Sequence, residues 1–427
     1  MKNKVISGLI SLLCISFILS SCNMSAVSQL LGDKNLSPLP EETTTGGVIS
    51  LPEETTTGGV ITLPDAAVSE ATGSDTGDDD IYNIENLTLR EKVGQLFIVR
   101  PEVLDSTLTE ATAVTDNMRQ FMEKYPVGGV AMFAINITGA SQITTFNTEL
   151  QNESRIPLFI AIDEEGGNVA RLANKSVLNL KKYESAAAVG SSGNPADGLE
   201  MGTTIGSYLR SFGFNMNFAP VADVNTNPNN TVIGKRAFSS DPAIASEMAL
   251  SFAEGLKNNQ VTPVFKHFPG HGDTNEDSHS LLAVNNKTLE EMEACEWLAY
   301  KKLTKDDCVM VGHIATPNLT GNNTPATVSY QLVTDYLRNY LGFEGLIITD
   351  SLLMGAVTNS YTSAEVCIGA VKAGCDILLD PANFTDAFEA IVKAVENGEI
   401  SEERLDESVK RILEFKKARH NALVSVG

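Results

Sequence analysis

The sequence predicts an α/β fold, a single (β/α)8 TIM-like barrel, and three observations support this prediction. Eight short apolar runs rich in β-branched residues alternate with longer stretches of helical periodicity over about 340 residues. The runs are apolar throughout, which is typical of parallel strands that are buried on both faces. An ionisable residue follows nearly every run, as expected where strand ends surround the mouth of a barrel.

The apolar runs and the helical stretches can be placed in order along the chain. The predicted strands are 94–99, 128–134, 157–163, 216–223, 261–268, 308–314, 345–351 and 375–380. The predicted helices are 106–124, 139–153, 195–211, 241–258, 287–303, 330–341, 362–373, 384–397 and 401–418. A doubly wound sheet is the alternative, but neither a GxGxxG motif nor a P-loop follows the first strand, which favours the barrel.

Composition excludes several classes of function. The chain has 427 residues, a formal net charge of −23 and 42% apolar residues, so it contains enough apolar surface to fold. The acidic balance disfavours a nucleic-acid partner and electrostatic attraction to an anionic membrane. The charge is uneven, because residues 23–86 carry twelve acids and one base.

The N-terminus resembles the signal of a bacterial lipoprotein. Lys2 and Lys4 precede an apolar run, 5–19, that is too short to span a membrane comfortably. The run ends in the sequence LSSC, in which Cys22 matches the lipid-modified cysteine of a lipobox. We therefore expect a lipoprotein signal peptide at 1–22 and a secreted, extracytoplasmic protein held on the cell membrane by acyl chains. An ordinary secretory signal with a chance cysteine is the alternative.

Residues 23–86 have the composition of a disordered linker. The twelve-residue sequence LPEETTTGGVIS (39–50) is followed at once by LPEETTTGGVIT (51–62). Such a repeat, rich in Thr, Gly, Pro and Glu, cannot bury a core. The chain is therefore predicted to have three parts, namely the signal at 1–22, the linker at 23–86 and the barrel domain at 87–427.

Ionisable residues cluster at the predicted strand ends, where a barrel places its active site. They are Asp163, Asp223, Lys266, His267, His313, Asp350 and Asp380. Any one of them could be a loop carboxylate or a helix cap, but together they indicate a polar pocket. His313 is equally consistent with a place in the pocket wall and with a place outside it.

The segment 266–282, KHFPGHGDTNEDSHSLL, contains three of the five histidines of the chain. A metal site is one interpretation, but Ser278 and Val284 stand where a calcium loop requires Gly and Glu. Acid–base chemistry is the other interpretation. Asp277 and His279 are two residues apart, so the carboxylate could orient the imidazole and hold a proton on it.

The combination of KHFPGHG and DSH resembles glycoside hydrolase family 3, in its β-N-acetylglucosaminidase branch. Four further motifs occur in the same order as in that family, and the resemblance covers residues 87 to about 420. These motifs are IDEEGGNVARL (162–172), the strand end APVADVN (219–225), GKRAFSSDP (234–242) and GLIITDSLLMGAV (345–357).

The resemblance implies the roles of the catalytic residues. Asp350 matches the nucleophile, which would form a covalent glycosyl intermediate. His279 matches the general acid/base and Asp277 matches its dyad partner. No second domain is expected after the last strand, which leaves the histidine loop as the proton donor.

The resemblance also implies a sugar-binding set, and the chain departs from many relatives at two positions outside it, Glu164 and Ser351; Ser351 stands where they have a second Asp and should be tolerated. The set consists of Asp163, Arg171, Arg236, Lys266 and His267. A structural ion pair is the alternative role for Arg171 and Arg236, and Met354 is expected to pack rather than to bind. Glu164 replaces the Gln of many relatives and is expected to add a negative charge near the site.

The implied function is a retaining exo-β-N-acetylglucosaminidase that needs no metal and no organic cofactor and acts as a monomer. Its expected partners are glycans containing N-acetylglucosamine, either cell-wall muropeptides or chitooligosaccharides, together with the membrane through the lipid anchor. The alternatives are a phosphorylase or a β-glucosidase of the same fold, and a sugar-binding lipoprotein without catalysis.

Overall fold

Eight parallel strands form the predicted barrel in the computed structural model, which describes residues 80–275 and 281–424. The strands are β1 (Phe97–Val99), β2 (Gly129–Met132), β3 (Phe159–Ile162), β4 (Met216–Asn217), β5 (Thr262–Phe268), β6 (Cys308–Val311), β7 (Leu346–Thr349) and β8 (Leu378–Leu379). Each strand pairs with the next from β1 to β7, and β8 pairs with β1. A bridge between Ile348 and Ile377 joins β7 to the start of β8, so the barrel is nearly closed. The predicted fold is confirmed.

Helices surround the strands. The α-helices are α1 (Leu89–Gln95), α2 (Pro101–Leu104), α3 (Asp116–Lys124), α4 (Ala140–Asn152), α5 (Ala186–Gly190), α6 (Pro195–Ser211), α7 (Pro242–Asn258), α8 (Leu289–Ala294), α9 (Pro317–Thr320), α10 (Gly355–Thr358), α11 (Ser363–Ala373), α12 (Phe384–Glu396) and α13 (Glu402–Val424). A π-helix, Gln331–Tyr340, lies between β6 and β7. Two further short strand pairs flank the barrel mouth, Glu164–Gly166 with Val169–Ala170 and Ala283–Val284 with Ile314–Ala315.

The core lies inside the barrel and between the strands and the helices. Every residue of the eight barrel strands is buried, which explains why their sequences are mostly apolar. Helices α6 and α7 pack closely because Gly202 has no side chain. A Cβ atom there would lie 2.0 Å from the carbonyl oxygen of Phe252.

Helix starts are fixed by local side-chain bonds. Thr88, Thr288 and Thr362 each form a capping box with the Glu three residues later, at the starts of α1, α8 and α11. Each box satisfies backbone N–H groups that the first turn leaves without intrahelical partners.

Several element boundaries differ from the predicted ones for local reasons. The predicted helix 106–124 begins only after Thr115, because Asp105 accepts bonds from the backbone and hydroxyl of Thr107 and from the Thr115 hydroxyl. Strand β4 ends at Asn217, and Pro220 cannot donate to a ladder. Gly94 and Gln95 belong to α1 rather than to the first strand.

The fold extends slightly into the predicted linker. Tyr82 and Ile84 are buried against the core, and all described residues belong to the second of two units, Met1–Glu70 and Ala71–Gly427. The predictions for the signal peptide, Cys22 and the repeats, and those for Asp277 and His279, concern positions outside the described residues. Within the described part, no helix is both long and apolar enough to cross a membrane.

Candidate active site

A pocket of about 400 Å³ opens at the carboxyl ends of the barrel strands. The structure brings six of the sequence-predicted site residues together in its wall, namely Asp163, Arg171, Arg236, Lys266, His267 and Asp350. Four carboxylates and four basic side chains line the pocket. Asp380, one of the predicted strand-end residues, is among them, whereas Glu165 and Arg100 were not predicted. Most of the predicted strand-end residues therefore converge on one pocket.

Asp163 follows β3 and bonds two cations across the pocket. Its Oδ1 accepts from Lys266 Nζ at 2.9 Å and its Oδ2 accepts from Arg171 at 3.2 Å. Burial alone would raise the pKa of Asp163, but the two cations hold it below its ordinary value. The Nε of Arg171 is buried and has no acceptor among the described residues, so it remains available to a ligand.

Glu165 is a central member of the site that the sequence analysis missed. It binds Arg236 through two bonds of 2.8 Å each, and it binds Lys266 Nζ at 2.6 Å. Burial opposes ionisation of Glu165, yet Arg236 and Lys266 lower its pKa strongly. Lys266 keeps a raised pKa despite complete burial because Asp163 and Glu165 both face it. The three successive carboxylates that follow β3, at positions 163–165, were the available signal in the sequence.

Asp223 bonds two histidines, His267 at the end of β5 and His271 in the loop that follows. Its Oδ2 lies 2.7 Å from His267 Nδ1, and its Oδ1 accepts from the backbone N–H of His271 at 2.6 Å. Burial would raise the pKa of Asp223, and the neighbouring His267 lowers it. His271 also lines the pocket, and its pKa is lowered by burial and by His267. The two rings meet edge to face at 5.8 Å.

Asp350 follows β7 and points into the pocket. Its backbone N–H donates to Val311 O at 2.9 Å, and its Oδ1 accepts from the N–H of Ser351 at 2.7 Å. Burial would raise its pKa, but His267, His313 and the Ser351 N–H lower it. Among the four lining carboxylates, Asp350 alone has no ion pair with a described side chain. It is therefore both ionised at neutral pH and free to contact a ligand.

His313 supports the peptide that follows Asp350 rather than lining the pocket. It is fully buried, its Nδ1 lies 2.7 Å from Thr327 Oγ1, and its Nε2 lies 2.9 Å from Ser351 O. Because Thr327 can accept or donate, the imidazole can donate from Nε2 to the carbonyl. Of the two possible places for His313, the structure selects the one behind the pocket wall.

Arg100 and Asp380 form the opposite rim. Arg100 Nε donates to both carboxylate oxygens of Asp380 at 3.0 and 3.1 Å, and its guanidinium lies over the ring of Phe133 at 5.0 Å. Arg171 approaches the same ring at 5.9 Å. Arg100 comes directly after β1, so the strand-end rule applied to that strand would have identified it.

The expectation that Glu164 adds charge near the site is wrong. Its side chain turns away from the pocket and accepts from the backbone N–H groups of Leu172 and Ala173 and from the hydroxyl of Tyr208, at 2.8–2.9 Å. Burial raises its pKa. Successive residues of an extended segment point to opposite sides, so Glu165 faces the pocket while Glu164 faces the scaffold.

The loop that carries Asp277 and His279 begins in the pocket wall. Its first residues are tied down, because Thr226 donates to Asp273 at 2.7 Å and Asn230 donates to His271 O at 2.7 Å. Within the described residues, no group of three His, Cys, Asp or Glu side chains converges as a metal cluster.

A nearly closed (β/α)8 barrel with ionisable side chains converging at its mouth is the architecture of a barrel enzyme. Comparison with known proteins makes the class specific. Residues 88–415 match the Glycosyl hydrolase family 3 N terminal domain. The chain belongs to this family.

Similar proteins carry names from the same family. Beta-hexosaminidase A of Pseudoalteromonas piscicida is 31% identical over 332 residues, which are 71% of this chain and 56% of that protein. Beta-hexosaminidase LpqI of Mycobacterium tuberculosis is 32% identical over 354 residues, which are 77% of this chain and 83% of that protein. This chain thus spans just over half the length of the former relative.

A solved structure matches the barrel closely. The glycoside hydrolase family 3 beta-N-acetylglucosaminidase from Paenibacillus sp. is 34% identical with a TM-score of 0.73. The match covers 78% of this chain and 63% of that chain. The comparison of sequences and the comparison of structures therefore indicate the same fold and the same family.

Proposed function

We propose that the chain is a retaining exo-β-N-acetylglucosaminidase in which Asp350 attacks the anomeric carbon of the terminal sugar. The observation that carries the proposal is the state of Asp350, which is half-buried in the pocket wall, has a lowered pKa and has no ion pair with a described side chain. A nucleophile needs this combination, because a carboxylate held by a cation has reduced electron density to donate. Attack forms a glycosyl ester and expels the leaving-group oxygen.

The proton for the leaving oxygen comes from His279, with Asp277 holding the imidazole. The loop that contains both residues starts at His271 in the pocket wall, which supports their access to the bond that is cleaved. After the first displacement, the same imidazole accepts a proton from water, and the hydroxide attacks the ester with a second inversion. The two inversions leave the β-configuration unchanged.

Asp163, Arg171 and Lys266 are suited to bind the sugar. The carboxylate can accept bonds from sugar hydroxyls, while Arg171 Nε and Lys266 Nζ can donate to hydroxyl oxygens. Lys266 is fixed by Asp163 and Glu165, and such preorganised donors need little reorganisation during the reaction. Arg236 and His267 complete the proposed shell.

The relatives' names support β-N-acetylhexosaminide substrates for this chain. Nitrophenyl glycosides test this choice directly. We expect faster turnover of the N-acetyl-β-glucosaminide than of the β-glucoside, and the reverse order would instead assign a β-glucosidase. Repeating the reaction with inorganic phosphate separates hydrolysis from phosphorolysis, since a sugar 1-phosphate product would assign a phosphorylase.

The proposed acid role of His279 is tested by varying the leaving group. Because a good leaving group needs no proton, His279→Ala should retain activity on a dinitrophenyl glycoside. It should lose about 10²- to 10⁴-fold on a methylumbelliferyl or natural glycoside. Equal losses on all leaving groups would contradict this role.

For the natural setting, we propose turnover of peptidoglycan fragments by a monomer held on the membrane through Cys22. The basic n-region, the short apolar run and LSSC support the anchor. Cys22→Ala should release the protein from the membrane fraction, and unchanged partitioning would contradict the anchor. Product analysis on a defined muropeptide would test the substrate.

A further inference from the structure

A second cavity, of about 350 Å³, lies at the amino ends of the strands, opposite to the candidate active site. Leu158 and Phe159 lie at the start of β3, Asn215 immediately precedes β4, and Gln260 lies just before β5. Helices α4, α6 and α13 provide the remaining wall. The cavity thus shares no lining residue with the catalytic pocket.

Its wall contains three basic side chains and no carboxylate. They are Arg210 on α6 and Lys416 and Arg419 on α13. This composition is unusual for a chain with a formal charge of −23. A concentration of cations without acids in a concave site favours an anionic ligand.

Lys416 is buried with neutral partners only. Its Nζ donates to Gln95 Oε1 at 2.8 Å and to Gly128 O at 2.9 Å, and it lies 4.7 Å from the centre of the Phe159 ring. Burial lowers its pKa to about 7. A buried ammonium without a counter-charge is costly, and a bound anion would offset that cost.

The two arginines are less buried than Lys416. The side chain of Arg210 is exposed and has no hydrogen bond or ion pair with a described residue, although partial burial lowers its pKa. Arg419 donates only to neutral oxygens, the hydroxyl of Thr262 and the carbonyl of Asp306. Its pKa is lowered by burial, although Asp306 and Asp307 partly oppose the shift. Guanidinium groups are well suited to bind the oxygens of phosphate or carboxylate.

The cavity wall is held in place before any ligand binds. The amide of Gln151 bonds both the N–H and the carbonyl of Leu158, at 2.9 and 2.8 Å. The amide of Asn215 bonds the same carbonyl and the N–H of Ile160, both at 2.8 Å. These bonds fix the apolar floor formed by Leu158 and Phe159 beneath the cations.

We propose that this cavity is a binding site for a small oxyanion, a phosphate or carboxylate group whose uncharged part packs on Leu158 and Phe159. The site is separate from the proposed hydrolysis at the barrel mouth. Phosphate and carboxylate ligands share the required chemistry, so the test uses both classes.

Isothermal titration of the full chain, at constant ionic strength, provides the test. The probes are inorganic phosphate, glycerol 3-phosphate and citrate. We expect saturable binding of at least one probe, weakened about tenfold or more by Arg210→Gln, because bonds to charged groups contribute about 1.5–3 kcal/mol each. Arg210→Gln should leave glycoside hydrolysis unchanged. Since the exposed side chain of Arg210 bonds no described residue, this variant should fold normally.

Two control variants make the outcome decisive. Arg155→Gln removes the same charge from a surface arginine paired with Glu91, outside the cavity. Arg171→Gln removes a cation from the catalytic pocket. Binding that survives both controls but weakens in Arg210→Gln and Arg419→Gln supports the proposal. Absence of saturable binding, equal weakening by Arg155→Gln, or loss only in Arg171→Gln would overturn it.

Discussion

Each end of the barrel contains a buried lysine, and the pKa values of the two lysines are shifted in opposite directions. Lys266 at the mouth and Lys416 at the base are 3% and 5% exposed. Lys266 faces Asp163 and Glu165, and its pKa is raised, whereas Lys416 faces only neutral oxygens and its pKa falls to about 7. Pairing, rather than depth of burial, therefore determines the direction of the shift.

The same contrast explains why one carboxylate stands apart. At the mouth, three of the four lining carboxylates are neutralised by neighbouring cations, which leaves Asp350 as the one available for chemistry among the described lining residues. At the base, the three cations have no lining carboxylate at all. At the mouth, every lining carboxylate except the proposed nucleophile Asp350 is thus paired with a cation. At the base, the cations have no lining carboxylate to pair with and could bind an anion.

The largest expected effect follows from removing the unpaired carboxylate. Asp350→Asn keeps the size of the side chain but removes the nucleophile, so kcat should fall on the order of 10⁴-fold or more. Steady-state rates with the N-acetylglucosaminide measure the loss, and circular dichroism verifies the fold. Activity within tenfold of wild type would remove Asp350 from the mechanism.

The next largest effect is expected from breaking the ion pairs of Glu165 at the barrel mouth. Glu165→Gln leaves Arg236 and Lys266 with one fewer counter-charge, and the free energy of unfolding should fall by about 3–5 kcal/mol at pH 7. Because the pKa of Glu165 is lowered from 4.5 in the folded state, its contribution is present above that pH and is lost as the pH falls below it. Urea unfolding should therefore show a smaller difference in the free energy of unfolding between the wild type and Glu165→Gln at pH 4 than at pH 7.

An exposed pair supplies the matched control for this prediction. Glu389 also binds Arg90 through two bonds, each 2.9 Å, but both side chains are well exposed. Glu389→Gln should cost at most about 1 kcal/mol. Equal losses in the two variants would show that burial does not strengthen the pair at the mouth.

The third prediction concerns Lys416 at the base of the barrel, where removing the charge should stabilise the protein rather than destabilise it. Lys416→Met should raise the free energy of unfolding by about 1–3 kcal/mol at pH 6 in a buffer without multivalent anions. Since the folded pKa is about 7 and the ordinary value is 10.5, the unfolded chain binds more protons between these values. The wild type therefore gains stability as pH rises through this range, and the advantage of the variant should diminish.

Urea unfolding at pH 6 and pH 9 measures this trend. Lys410→Met, on an exposed position of the same helix, is the control and should change stability by less than about 0.5 kcal/mol. Destabilisation by Lys416→Met at pH 6 would mean that the bonds to Gln95 and Gly128 outweigh the cost of the buried charge.

The smallest effect on activity comes from the neighbour of Glu165. Glu164→Gln should leave kcat and its pH profile unchanged, because the side chain faces the scaffold. Its NH2 group would face a backbone N–H and should lower the free energy of unfolding by about 1–3 kcal/mol. A shifted pH profile would place its charge in the electrostatics of the pocket. Comparing Glu164→Gln with Glu165→Gln thus distinguishes the side of the segment that faces the scaffold from the side that faces the pocket.

Sequence patterns predicted the barrel and most of its mouth because both depend on local signals. Strand β3 ends before Asp163 and β7 ends before Asp350, and parallel strand ends converge. The orientation of Glu164 and Glu165 was missed, since it depends on the path of the backbone after β3. The base was missed because the contacts of Lys416 with Gln95 and Gly128 join residues about 300 positions apart, and no local pattern encodes them.

The covalent role of Asp350 is tested most directly by trapping the intermediate. A 5-fluoro N-acetylglucosaminyl fluoride should react with the enzyme to form a glycosyl ester that hydrolyses slowly. The quenched protein can then be digested and analysed by mass spectrometry. We predict one glycosyl adduct, on the peptide that contains Asp350, and no adduct in Asp350→Asn. An adduct on Asp163, Glu165 or Asp380, or rapid turnover with no adduct under conditions that trap retaining enzymes, would contradict the account.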